Sequence, residues 1–354
     1  MMTLLEIAEA FPIEGRALSC EKLGNGHINR TYLVVTSEAR KYVLQGINTN
    51  VFRNVDLLMN NIFAVTGYLT GIGASTLRFL NTREGGKYFS CPEGCFRLYE
   101  YVEGVSLEKA SSPKELGICG RAFGEFQRLL GGFDAGKLGE TIPRFHDTVK
   151  RLNDLEAAAE KDEFGRLKTV RPEFEAYMSR RKNAAIMLDM QAAGQLKTRV
   201  THNDTKINNV LLEEKTLSPV CVIDLDTIMP GLAGNDFGDC IRSGATTGKE
   251  DEQDLSLVRL DLDMYRGFAG GFLSACAGEL TGDEIDTLPW GGYLMTYECG
   301  ARFLTDYLSG DVYFSTAYPE HNLVRCRTQL KLVQDTEDNF EKIRGIISEE
   351  AARL

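Results

Sequence analysis

A chain of 354 residues, 43% apolar and 26% charged, is long enough for two lobes, each with a core of its own. Its formal net charge of −11 excludes a binder of phosphate backbones, which needs a concentrated basic face, so nucleic acid is not an expected partner. Nine cysteines in no repeated framework argue for a reducing compartment and a cytoplasmic protein, and Cys91 and Cys95 lack a second Cys/His pair at zinc spacing.

In chain order, MMTLLEIAEAFPIEG carries glutamates and no basic leader, so it reads as a short amphipathic helix and not as a secretion signal. From residue 17 to about 102 the pattern alternates with period two: ALSCEKL, HINRTYLVV, KYVLQ, KYFS and CFRLYEYV, separated by glycine and polar turns. This predicts a five-stranded antiparallel sheet, with one helix at NVDLLMNNIFAVTGYLTG between the third and fourth strands. After VEGVSL the spacing becomes helical in PKELGICGRAFGEFQRLLGGF, RFHDTVKRLNDLEAAAEK and EFEAYMSRRKNAAIMLDM, then from about 251 to 307 and from 322 to 348. The tract GFAGGFLSACAG (267–278) is too short and too rich in glycine to span a bilayer, so no membrane association is expected. The expected organisation is an α+β chain with a β-rich lobe over 1–102 and a mainly helical lobe over 103–354, joined through Tyr99 to Gly104.

The exception to the helical pattern is THNDTKINNVLLEEKTLSPVCVIDLDT (201–227), where NNVLL and VCVIDLD flank a polar turn as hairpin strands do. A turn symmetric about Thr216 and Leu217 places Asn209 opposite Asp224, with Cβ atoms roughly 4.5–5.5 Å apart. Period two places Asp224 and Asp226 on one strand face. An amide oxygen beside one or two carboxylates is a hard-oxygen site, which suits Mg²⁺ and relieves the repulsion between the acids. Upstream, His202, Asn203 and Asp204 complete an H-x-D-x(4)-N run, and I-D-L-D reaches Asp224 fifteen residues after Asn209. This is the order of a phosphoryl-transfer loop: Asp204 accepts a hydroxyl proton, and Asn209 and Asp224 hold the metal on ATP, with His202 and Asp226 in structural roles.

Other segments fit that reading with alternatives open. In LGNGHINRTYLV, Gly24 and Gly26 lack a Cβ and would let backbone approach phosphate, although Asn29 stands where a third glycine would be and a plain hairpin is equally served. Gln45 occupies the position of a strand lysine, and Lys41 begins that strand, so the cation on the phosphates is left open. Backbone amides of Glu100, Tyr101 and Val102 could meet an adenine edge, or belong to an ordinary strand between lobes. In GNDFGDCIR, Asp236 and Asp239 are expected to be structural, capping a helix start or accepting backbone N–H bonds from the catalytic loop.

HNDTKINN, VIDLDT and NDFGDCIR resemble the aminoglycoside phosphotransferase superfamily, small-molecule kinases with a two-lobed, protein-kinase-like fold. Beyond these motifs, GNGHINRTYLV, RFHDT, ECGARFLTDYLSGDVYF and YPEHNLVRCRTQLKLV look like the N-acetylhexosamine 1-kinases, over nearly the whole chain. The resemblance implies ATP-dependent phosphorylation of the anomeric hydroxyl of a neutral amino sugar, GlcNAc or GalNAc. It implies Asp204 as base, Asn209 and Asp224 facing magnesium, and a sugar pocket built from His27, Asp204, Arg302 and Tyr313; it also implies a glutamine at position 45. The residues alone permit an Arg302–Asp306 ion pair and a packed Tyr313 instead. Another small-molecule kinase of aminoglycoside, homoserine or choline type is the alternative function, and a nucleotide-binding regulator without catalysis a further one.

Overall fold

Alternating apolar residues form β1 (Ala17–Lys22), β2 (Arg30–Thr36) and β3 (Lys41–Ile47). The computed structural model of the chain describes residues 1–24, 28–276 and 278–354. With β4 (Phe79–Leu80), β5 (Phe89–Cys91) and β6 (Gly94–Glu100) these strands make one antiparallel sheet of six, ordered β1-β2-β3-β6-β4, with β5 also on β6. The sheet has one strand more than the sequence predicts. β4 is only two residues long, too short to show a period, and exists because Phe79 and Leu80 pair with Tyr99 and Leu98.

Helix α1 (Leu4–Glu9) starts in a capping box between Thr3 and Glu6 and covers one face of the sheet, with Ile7, Ala8 and Phe11 against Val34, Leu44, Phe96 and Leu98. α2 (Val55–Gly71), capped by Asn54, puts Leu58, Ile62, Val65 and Leu69 into the core shared with the helical lobe. In the β3–β6 register, Leu44 lies opposite Leu98 and Gln45 opposite Arg97. Period two therefore sends the leucines towards α1 and the polar pair to the other face. The chain leaves the sheet after Glu100 and enters the helical lobe where Val105 pairs with Leu212.

The helical lobe comprises α3 (Pro113–Leu130), α4 (Thr148–Lys161), α5 (Arg171–Met178), α6 (Ile186–Ala192), α7 (Ala233–Gly244), α8 (Leu262–Cys276), α9 (Gly282–Leu308), α10 (His321–Asp338) and α11 (Phe340–Ala351). The helical pattern read over 173–190 is divided in two, because a 3-10 turn at Arg181–Asn183 separates α5 from α6. The stretch 251–261 is not α-helical: Thr246 bridges Leu260, and Asp261 accepts the Met264 N–H to begin α8. No described helix is long and apolar enough to cross a membrane; the glycine-rich tract is most of α8, packed on α3. All nine cysteines are free thiols.

Strands β8 (Val210–Leu212) and β9 (Pro219–Val222) form the expected hairpin, but its register is one residue off the symmetric one. Val210 faces Val222, an irregularity follows at Leu211, and Asn209 thus meets Ile223, not Asp224; the Ile223 N–H donates to the Asn209 carbonyl at 2.9 Å. Nor does the strand run on through Asp226. Asp224 is in the left-handed region (φ 59°) and residues Leu225–Thr227 form a 3-10 turn, so Asp224 and Asp226 do not share a strand face. A further antiparallel pair, β7 (Arg199–Thr201) with β10 (Met229–Gly231), carries the segment 202–209 into place.

Helices α7 and α9 approach so closely that a Cβ on Gly238 would fall within the Gly291 carbonyl, and one on Gly291 within the Gly234 carbonyl. Backbone sets that distance, and neither side can yield. Gly238→Ala is therefore expected to lower unfolding free energy in urea by about 1–3 kcal/mol. Gly345→Ala in α11, where the added methyl meets nothing within 4 Å, should instead raise it by up to roughly 1 kcal/mol; equal effects of the two would refute the close-approach account.

Candidate active site

The loop between β7 and β8 is fixed by buried side chains from several elements. Asp236, on the first turn of α7 and buried, accepts the backbone N–H groups of His202 (2.9 Å) and Asn203 (2.8 Å) and the Gln127 side-chain amide (2.7 Å). It ties down the loop and does not cap: Leu232 precedes the helix and gives no side-chain cap bond. His202 is fully buried against Phe123 and Phe126; its Nδ1 accepts the Asp204 N–H (3.2 Å) and its Nε2–H donates to the Ile223 carbonyl (2.8 Å). One imidazole thus binds the Asp204 segment to the Asp224 segment. Asn203 is held with φ 63° while its side-chain amide donates to the Thr201 and Thr227 carbonyls. Such a conformation in a non-glycine residue persists where the surroundings over-determine it.

On this frame, Asn209 donates its amide N–H to the Asp204 carbonyl (2.8 Å) and approaches the Asp204 carboxylate (3.4 Å). Its Oδ1 is left without a partner among the described residues. The Asp224 carboxylate likewise has none; solvent reaches it from the cleft while protein walls its other sides. Asp224 is exposed on its cleft side, yet desolvation by the protein atoms around it, followed by the charges of Asp226 and Asp204, pushes its pKa up to about 6. An unpaired amide oxygen and a carboxylate repelled by two others are each the kind of oxygen donor that a hard divalent cation takes. Among the described residues no three His, Cys, Asp or Glu side chains converge, so waters and phosphate oxygens would complete the shell.

Asp226 is not free to join it. Its Oδ2 accepts the Asn29 amide at 2.6 Å, and its Oδ1 pairs with Arg97, both Asp226 and Arg97 being buried. Gln45 accepts from Arg97 through Nε (3.0 Å) and Nη2 (2.8 Å) and donates to Thr31. Lys41 pairs with Glu103 at 2.7 Å on the exposed side. The cation beside Asp204 is one the sequence reading overlooks, Lys206, whose ammonium lies 3.0 Å from the carboxylate and is half exposed. Asp204 is the main cause of the upward shift of Lys206. Its position two residues past Asp204, inside D-T-K, is the signal that could have found it.

Asp239 lies in the middle of α7 and neither caps nor holds backbone; it pairs with Arg242 at 3.0 Å. Burial opposes its charge, but Arg242, Lys206 and His146 outweigh that and hold the carboxyl below the usual range. His146 bridges the Glu298 carboxylate on α9 and the Asn203 carbonyl, both at 3.1 Å. Burial favours the neutral ring, yet Glu298 outweighs it and the net shift is upward.

Gly24 has φ 68° with open space around its missing Cβ, so a turn conformation and not packing calls for glycine there. Gly26 and His27 lie outside the described residues. At the connector, the Glu100 and Tyr101 amides are engaged with the Arg78 and Lys41 carbonyls, leaving only Val102 of that trio with an unpartnered N–H among the described residues.

Arg302 and Tyr313 line one cavity of about 320 Å³ together with Ile142, Phe145, Arg151, Asp154 and Phe314. The Arg302 guanidinium lies 5.4–5.9 Å from the ring centres of Phe314, Phe145 and Tyr313. Arg302 does not pair with Asp306, whose buried carboxylate accepts the N–H groups of Val312, Tyr313 and Phe314 and so shapes the cavity wall. Tyr313 is exposed and not a core residue.

Comparison with known proteins adds two findings. A family model described as the phosphotransferase enzyme family matches residues 19–270. Among solved structures, an amicoumacin kinase in complex with AMP-PNP, Ca²⁺ and Ami is similar at TM-score 0.62 and 15% identity, covering 95% of this chain and 92% of that one. A choline kinase from Cryptosporidium parvum Iowa II is similar at 0.60 and 15%, covering 97% and 96%, and a microcompartment-associated aminopropanol kinase at 0.57 and 14%, covering 96% and 97%. At such identities the likeness shows the fold, a two-lobed kinase-like α+β architecture.

The His146–Glu298 contact predicts a sign. A histidine whose folded pKa is raised stabilises fully below its unfolded value, about 6.5, and loses that contribution as pH climbs through the raised one. The stability advantage of the wild type over His146→Gln in urea should therefore be largest near pH 6 and shrink steadily towards pH 9. A difference independent of pH would remove the charged pair from the account.

Proposed function

The chain belongs to the phosphotransferase enzyme family, and from that premise we propose that it is an ATP-dependent small-molecule kinase acting on the anomeric hydroxyl of an N-acetylhexosamine. The observation that supports the kinase part is that Asp204 and Asn209 share one loop, which Asp236 fixes and His202 ties to the segment of Asp224, while Asn209 Oδ1 and the Asp224 carboxylate have no partner among the described residues. Asp204 is the base: it faces the cleft, half-buried, and its backbone is held through His202 and Asn209. The acceptor hydroxyl gives its proton to Asp204 as its oxygen attacks the γ-phosphorus and the bond to ADP breaks. Mg²⁺ held by Asn209 and Asp224 would neutralise charge on the phosphates during transfer. Lys206 can leave Asp204 once the acceptor hydroxyl takes its place there, and is then a cation free to meet the moving phosphoryl group, the role open at Gln45. Gly24, Gly26 and the connector at Glu100, Tyr101 and Val102 are the proposed nucleotide contacts, with the base edge meeting the Val102 N–H.

The cavity at Arg302 favours a neutral sugar over the alternatives. Guanidinium donors from Arg151 and Arg302 suit hydroxyl and acyl oxygens, and the exposed face of Tyr313 suits a sugar ring. A polycationic aminoglycoside would need free carboxylates, but Asp306 is committed to backbone and Asp154 to Lys150 (2.6 Å) and Arg151 (3.8 Å). A choline-type cation would need aromatic faces that Arg302 already occupies. His27 completes the proposed pocket with Asp204, Arg302 and Tyr313. The acceptor preference between GlcNAc and GalNAc turns on a single C4 hydroxyl.

The test is ATP consumption over N-acetylhexosamines, plain hexoses, homoserine, choline and kanamycin, with the product followed by phosphorus NMR and a reducing-end assay. N-acetylhexosamines should be turned over fastest and lose their reducing end; phosphate at C6, or choline as the preferred acceptor, would sink the 1-kinase reading. Asp204→Asn should lower kcat at least about a hundredfold, as loss of a general base does, while ATP affinity by calorimetry stays within about threefold of wild type.

A further inference from the structure

Asn29 stands where a third loop glycine is expected, and Gln45 where a strand lysine is expected. Both substitutions meet in one buried network. Asn29 donates to Asp226 Oδ2 at 2.6 Å, and its own Oδ1 accepts the Asn48 N–H at 3.0 Å. The other Asp226 oxygen pairs with Arg97, which is 1% exposed and is gripped from behind by Gln45, itself bound to Thr31 at 3.1 Å. The network thus runs from β2 and β3 through β6 to the 3-10 turn of the helical lobe, two residues beyond Asp224.

We propose that Asp226 is a latch between the lobes: through Asn29 it fixes the end of the glycine-bearing connection of β1 to β2 over the nucleotide site, and through Arg97 it locks the sheet to the floor of the cleft. Asn29, Arg97 and Gln45 are positioning residues and touch no substrate. The proposal rests on the family reading of the cleft for its nucleotide but not for its acceptor.

The chemistry explains both departures together. A glycine at 29 offers no side-chain donor, so Asp226 would keep one oxygen buried and unbonded, which a polar group in the interior does not tolerate without cost. A lysine at 45 would set a second cation beside Arg97 with one carboxylate between them. Glutamine instead presents an acceptor to Arg97 and a donor to Thr31 and satisfies both without adding charge. With both Asp226 oxygens taken, Asp224 is left as the carboxylate available to a metal, and the loop is preset without a strand lysine.

The latch is tested with Asn29→Ala and Asn29→Gly, both partly exposed changes that keep the buried ion pair intact, and with Gln45→Lys. In the nucleotide-free protein, amide hydrogen exchange at residues 28–31 should speed up at least tenfold in both Asn29 variants, with the melting temperature within a few degrees of wild type. Binding of a fluorescent ATP analogue with Mg²⁺ should weaken about tenfold, and KM for ATP should rise more than kcat falls. Gln45→Lys should weaken binding as well; tighter binding would mean that the position simply lacks a phosphate cation. If Asn29→Gly matches wild type in exchange and in affinity, the latch is overturned. Should the wild type bind no nucleotide, the family reading of the cleft fails, while the exchange measurement still decides whether Asn29 holds the lobes.

Discussion

Asp224 feels the charges of two further carboxylates, Asp226 and Asp204, and that repulsion is the constraint that the surrounding structure answers. Each is treated differently. Asp226 is paired with buried Arg97 and Asp204 with half-exposed Lys206, while Asp224 has no ion pair, and desolvation, followed by the charges of Asp226 and Asp204, raises its pKa to about 6. A carboxylate with no ion pair that feels two other carboxylate charges is unfavourable in isolation, and it becomes favourable when a divalent cation enters. The unequal treatment of chemically identical groups gives each of the three a different charge environment, as the proposed roles of base, metal ligand and structural acid require.

Positioning these groups falls to elements remote in sequence. The backbone around Asp204 is held by Asp236 from α7, His146 from the loop before α4, and its own His202 and Asn203. α7 in turn rests on α9 through glycine contacts that leave no room for a side chain, and α9 also supplies Glu298 to His146 and Arg302 to the neighbouring cavity. The distance from the Asp204 loop to the cavity at Arg302 is therefore set by backbone-to-backbone packing. Stiffness of this kind suits phosphoryl transfer, where placement and electrostatics supply most of the rate.

The cavity shows the same economy of charge. Arg302 lies against aromatic rings and not against a carboxylate, because Asp306, one helical turn on, is consumed by three backbone N–H groups. A guanidinium so placed keeps donors for an oxygen-rich ligand.

Much was legible in the chain itself. Period-two runs marked β1–β3, β5 and β6, since half-buried strands must alternate; the helices of the second lobe showed through their 3.6-residue spacing; and the order His202, Asp204, Asn209, Asp224 announced phosphoryl transfer, because those roles demand those residue types at loop-length spacings. Tertiary structure alone decided the rest. The register of the hairpin turned on a local irregularity at Leu211, which no periodicity encodes. That Asp236 holds the loop, and that Arg97 and Asn29 claim Asp226, depends on contacts across 33 to 197 residues of sequence. A side chain's type is written locally, but the partner that fixes its charge is chosen by packing, since only folding brings distant groups within hydrogen-bond reach.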